Sequence, residues 1–154
     1  QDHVGIDSFT DAVRFSALQF LEDEPTPPKL TQLLTANPKL RIYGGLGASM
    51  FYEELRRGAI GIMTGFGFPE VLVEIHRAFA AGETARAAEV FYRHSALIRF
   101  ENQARINLVL RKHLYARRGA LASPQARFPA PELDAGTLRD LGELITGLGL
   151  MKEW

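Results

Sequence analysis

Several strings in this chain carry residue types that chemistry can use. Gly45-Leu46-Gly47-Ala48-Ser49-Met50 places glycines between a strand-like run and a helix-like one. A dinucleotide fingerprint sits at such a junction, but it wants a small third residue where the helix packs on the strand, and here that residue is Met50. Glycines that let backbone approach a bound anion are the better reading. Gly65-Phe66-Gly67-Phe68-Pro69 sets two glycines between aromatics. It reads equally as a loop shaped around a ligand and as aromatic packing under later helices. Glu22, Asp23 and Glu24 offer carboxylates to a cation such as Mg²⁺. Neighbouring acids on a strand cannot all point inward, so a solvated loop outweighs a metal site, and no metal is expected. His3, His76, His94 and His113 show no ligand spacing, and no Gly-x-Ser-x-Gly elbow exists. Arg105, Arg111, Lys112, Arg117 and Arg118 make one helical stretch basic. A solvated face with cations near a helix end outweighs a phosphate-binding strip.

The elements that must position these residues follow from periodicity and punctuation. Ser8-Phe9-Thr10-Asp11 is a capping pattern ahead of a short helix at 9–15. Residues 17–21 read as a short buried strand. Thr26 and Pro27 open a helix with an apolar face of Leu30, Leu33 and Leu34, and Asn37-Pro38 stops it. Strands at 40–43 and 59–64 follow, with a helix over 50–57 between them and Gly58 as its stop. A helix runs from Pro69 to about residue 81. Helical periodicity then fills 83–118, breaking near Asn102, with Ala87, Val90, Phe91, Leu97 and Ile98 facing inward, then Ile106, Val109, Leu110 and Leu114. After a Pro-rich connection at 120–133, a last helix spans 137–146 through Leu138, Leu141, Leu144 and Ile145. Three short βα units imply a parallel sheet in the order of the chain, built with right-handed crossovers.

Composition limits the function classes. The 154 residues are 46% hydrophobic and 23% charged, an ordinary domain or a piece of one. A complete (β/α)₈ barrel needs about 250 residues. Eighteen basic residues balance eighteen acidic ones, which excludes a global field that attracts nucleic acid or an anionic membrane. Cysteine is absent, so disulfides, thiolate metal sites and a cysteine nucleophile are excluded. That composition suits the cytoplasm. No apolar run reaches the roughly 18 residues a membrane span requires, and the opening residues lack signal-peptide order. Without an initiator Met, the chain is expected to be processed or part of something longer.

Four strings occur together in order: Leu21-Glu22-Asp23-Glu24-Pro25-Thr26-Pro27-Pro28-Lys29-Leu30, Ile42-Tyr43-Gly44-Gly45-Leu46-Gly47, Gly58-Ala59-Ile60-Gly61-Ile62-Met63-Thr64-Gly65-Phe66 and Arg127-Phe128-Pro129. Together they resemble the dihydrodipicolinate synthase / N-acetylneuraminate lyase family over nearly the whole chain. Gln1-Asp2-His3 resembles the end of that family's fifth barrel strand. The resemblance implies an α/β fold: the last three βα units of a TIM (β/α)₈ barrel, followed by C-terminal helices. Residues 1–82 are then the C-terminal half of the barrel, and 83–154 a trailing helical segment of the same domain.

The family are class I aldolase-type lyases, in which a strand-six lysine forms a Schiff base with pyruvate or a related 2-oxo acid and a tyrosine of the first half relays protons. No further cofactor is implied. The lysine lies two residues before the Glu-Asp pair, which here is Phe20, or Gln19 with a one-residue gap. Neither side chain can form an imine, and Lys29 lies beyond the prolines. The resemblance therefore implies no catalytic residue in this chain, and inactivity when it stands alone. Gly44 and Gly45 match the turn after strand seven. Met63, Thr64 and Gly65 match the end of strand eight, which borders the 2-oxo acid in the family. The expected partners are a small 2-oxo acid such as pyruvate, plus further copies of the chain or a missing N-terminal half barrel, and neither nucleic acid nor membrane. The alternative is a non-catalytic small-molecule-binding or oligomerisation module.

Overall fold

A computed structural model describes residues 20–22, 27–152 and Trp154. The expected helix at 9–15, residues 17–19 of the expected strand, and the proposed cap Thr26 lie outside them. The described residues are mostly helical, with a small parallel sheet. They divide into two compact units, residues 1–64 and 65–154.

The first unit holds the sheet. Strands β1 (Phe20–Glu22), β2 (Arg41–Gly44) and β3 (Gly61–Ile62) run parallel in that order. Leu21 pairs with Ile42, and Tyr43 with Gly61. This is the neighbour order that short βα units dictate. Strand β3 is shorter than the expected 59–64 because only Gly61 and Ile62 pair in register. Single hydrogen bonds from Ile60 N–H to Ile42 O (2.9 Å) and from Met63 N–H to Gly44 O (2.9 Å) flank it. Helix α1 (Pro27–Ala36) begins on its prolines, whose missing N–H groups cost nothing in a first turn. Its Leu30 and Leu33 are buried with Leu40, Ile42 and Ala59, and Leu34 packs beside them. Helix α2 (Phe51–Leu55) is only five residues, where 50–57 was expected. Gly58 follows in the left-handed region at φ +99°, a conformation only glycine adopts freely.

The second unit is helical: α3 (Pro69–Ala80), α4 (Thr84–Glu101), α5 (Asn107–Arg117) and α6 (Ala135–Gly147). Helix α3 packs chiefly along α4, which also meets α5 and α6. Ala87, Phe91, Leu97, Ile98, Val109, Leu110, Leu114, Leu141 and Ile145 are buried as their spacing requires. Val90, Ile106, Leu138 and Leu144 are only half-buried, at the margins of their apolar faces. The break at Asn102 stands, since that residue caps α4. Helix α6 starts two residues earlier than expected because Asp134 caps it, accepting the Thr137 N–H at 2.9 Å. Trp154 lies over Gly142 of α6, and its indole N–H donates to Leu138 O at 2.9 Å. No described helix is long and apolar enough to cross a membrane.

Candidate functional site

In the first unit, Gly44 ends β2 and Gly45 follows it, both buried. The chain then enters a tight turn, Leu46–Ala48, in which three consecutive residues have positive φ: Leu46 at 47°, Gly47 at 61° and Ala48 at 75°. For Leu46 and Ala48 that conformation costs about 1–2 kcal/mol each. The turn is closed by Ala48 N–H to Gly45 O (3.0 Å) and by Ser49 Oγ–H to Leu46 O (2.9 Å). Met63 and Thr64 follow β3; Met63 is 51% exposed and Thr64 half-buried. Phe20 opens β1, its backbone paired with Arg41, while Gln19 lies outside the described residues.

Sequence reasoning missed Glu54. It projects from α2 against Gly44 so closely that an added Cβ would overlap its carboxyl. The residue is 0% exposed, and neither carboxyl oxygen has a hydrogen-bond partner. Burial, helped by the neighbouring Glu53 charge, pushes its pKa up to about 7. The close approach that Gly44 permits is thus taken up by a side chain of this chain. A signal existed: Glu54 falls three residues after Phe51 and beside Leu55, on the apolar side of its helix.

In the second unit, Gly65 is half-buried, while Phe66, Gly67 and Phe68 are buried. The two rings meet at 6.2 Å. Aromatic packing under helices, one of the two readings of this string, is therefore present. A second unforeseen acid lies here. Glu101, also 0% exposed, accepts the Gly67 N–H at 2.9 Å and faces Arg111 Nε at 3.7 Å. Burial raises its pKa to about 7, against the opposing pull of the Gly67 N–H, Arg111 and Arg118. Its signal was equally available, since it falls four residues after Leu97 and three after Ile98 on the inward face of α4.

The basic stretch resolves mostly into internal contacts. Arg111 donates to Asn102 Oδ1 at 2.6 Å, and Arg118 pairs with Glu70 at 2.6 Å while lying 4.6 Å from the Phe68 ring centroid. Lys112 donates to Gln125 O, and Arg117 stands over the Trp154 ring. The solvated face expected there holds for Arg105 and Arg117, which are exposed, and gives way to pairing at Arg111 and Arg118, where Glu70, Glu101 and Asn102 converge. His94 is buried and its Nδ1 donates to Val90 O at 2.7 Å. His113 packs against Trp154, and burial with the Arg117 charge lowers its pKa. Among the described residues no group of three or more His, Cys, Asp or Glu is placed to hold a metal.

No protein-family model matches the chain. Over 99 residues it is 32% identical to an L-2-keto-3-deoxyarabonate dehydratase of Azospirillum brasilense, covering 64% of this chain and 32% of that protein. Its fold matches a dihydrodipicolinate synthase of Rhodopseudomonas palustris at TM-score 0.75 and 30% identity, over 81% of this chain and 44% of that one. The synthase of Oceanobacillus iheyensis gives TM-score 0.82 at 18% identity, over 94% and 51%. A prophage protein of the dihydrodipicolinic acid synthase family from E. coli K12, solved in complex with pyruvate, gives 0.77 at 19%, over 88% and 48%. The chain spans about a third of the curated relative and about half of each of these solved chains. Sequence and fold together fit a partial chain of the dihydrodipicolinate synthase family.

Proposed function

We propose that this chain is the C-terminal part of a (β/α)₈ barrel from a class I aldolase-type lyase that handles pyruvate or a related 2-oxo acid. The observation that carries the reading is the parallel order β1-β2-β3 with glycine-bearing loops leaving β2 and β3, in a chain similar to this family. Barrel enzymes place their sites at such strand ends. Residues 1–82 are assigned to the half barrel and 83–154 to its trailing helices. Gly44, Gly45, Met63, Thr64 and Gly65 border the 2-oxo acid. The pyruvate bound by the E. coli relative supports that ligand class. A cytoplasmic location fits this chemistry.

The lysine that would carry the Schiff base is replaced by Phe20, or by Gln19 with a gap, and the chain alone is inactive. Lys29 lies on α1 and Lys39 precedes β2, while Lys112 is engaged with Gln125 O and Lys152 follows α6. A neutral amine beside the acceptor carbon is the requirement, and none of these positions meets it. The same observation supports a second reading, a non-catalytic binding or oligomerisation module assembling with copies of itself or with the other half barrel.

Incubation with pyruvate and borohydride tests both. The expected result is no adduct by intact mass on the unmodified chain, with trapping first restored by Phe20→Lys in the completed barrel and less well by Gln19→Lys. A stoichiometric adduct on one of the four existing lysines would overturn the inactive reading.

A further inference from the structure

Three side chains of the second unit direct their polar groups at the backbone of one short loop. Tyr115, on α5, stands with its hydroxyl 3.3 Å from Gly65 O and 3.1 Å from Phe66 O. Arg118, just past α5, donates to Gly67 O while its other amino group holds Glu70 at 2.6 Å. Glu101, at the end of α4, accepts the Gly67 N–H at 2.9 Å. Three successive carbonyls and the Gly67 amide are thus met from two helices. Contacts to backbone fix a conformation whatever side chains the loop carries. Arg111 adds packing: its Cδ lies 3.3 Å from where a Gly65 Cβ would stand, and a Gly67 Cβ would stand 2.7 Å from Leu114. A side chain at Gly67 would force Leu114 to shift, and one at Gly65 would press on Arg111.

We propose that Glu101, Tyr115 and Arg118 are positioning residues that hold the 65–68 backbone so that Gly65 presents a fixed edge to a bound 2-oxo acid. The ligand half of this inference rests on the reading above, in which Gly65 borders such an acid. The trailing helices then act on affinity as well as on the fold, because a pre-ordered loop loses less conformational freedom when ligand arrives.

The test compares the intact chain with Tyr115→Phe, Glu101→Leu and Glu101→Gln by amide hydrogen exchange and by titration with ¹³C-pyruvate. In Tyr115→Phe the 65–68 amides should exchange about tenfold faster while those of α6 are unchanged. The pyruvate Kd should rise about threefold or more. Glu101→Gln keeps an oxygen for the Gly67 N–H and should stay nearer the wild type than Glu101→Leu. Unchanged exchange at 65–68 in both Tyr115→Phe and Glu101→Leu overturns the positioning role. Faster exchange with unaltered pyruvate affinity overturns its link to the ligand. If the unmodified chain binds no pyruvate, the reading of Gly65 fails, and exchange alone still decides whether the three side chains hold the loop.

Discussion

Glu54 in the first unit and Glu101 in the second are close counterparts. Each is 0% exposed, each rests against a glycine, and each has its pKa raised to about 7 chiefly by burial. Their surroundings differ. Glu101 is answered by the Gly67 N–H and by Arg111, while Glu54 has no partner for either oxygen and Glu53 adds like charge. A buried carboxyl that organises polar neighbours is costly to remove. One that organises nothing is costly to ionise. The second unit therefore uses its buried acid as a fastening, and the first carries its own as a pH-dependent burden.

The largest expected effect breaks the fastening. Glu101→Ala leaves Arg111 without its carboxylate and the Gly67 N–H without its acceptor, and should destabilise the chain by about 3–5 kcal/mol in urea titration. A loss below about 1 kcal/mol would put Glu101 in the same class as Glu54. Next comes Gly44→Ala, whose added carbon collides with the Glu54 carboxyl, at a cost of about 2–3 kcal/mol. Repeated in a Glu54→Ala background, it should cost less than about 0.5 kcal/mol, a coupling that a double-mutant cycle measures directly. Equal costs in both backgrounds would show that Gly44 is a glycine for another reason.

An effect of similar size sharpens the comparison through pH. The pKa of Glu54 is raised in the folded chain, so its contribution is fully present below the unfolded value near 4.5 and is lost as pH rises through about 7. Glu54→Gln should match the wild type near pH 4 and exceed it by about 2–3 kcal/mol at pH 8. Denaturation midpoints at the two pH values check this, and a constant difference would show that Glu54 does not titrate in that window.

Punctuation made much of the fold legible. Asn37-Pro38 ends α1, Gly58 and Gly119 take positive φ where helices were expected to stop, and the order of the three strands followed from spacing alone. Strand lengths were not legible, because the extent of β3 depends on which residues of β2 it finds in register. The candidate site was legible as glycines but not as the carboxyls that press on them. Gly44 and Glu54 lie ten residues apart, Gly67 and Glu101 thirty-four. Periodicity can mark an acid on an apolar face, and it gives no hint of which backbone that acid will meet. The basic stretch misled for the same reason, since Glu70 lies forty-eight residues from the Arg118 it pairs with.

Trp154 is the single tryptophan of the chain, and it is tied to α6 by its bond to Leu138 O and flanked by Arg117 and His113. Its emission is therefore a local address: excited at the red edge of the protein spectrum, the chain reports the second unit alone. Phe51, Tyr52 and Tyr43 leave the first unit with no indole, so melting around Glu54 is silent in that channel and visible in far-ultraviolet circular dichroism. Two optical signals read on one sample can thus separate the fates of the two buried acids without cutting the chain.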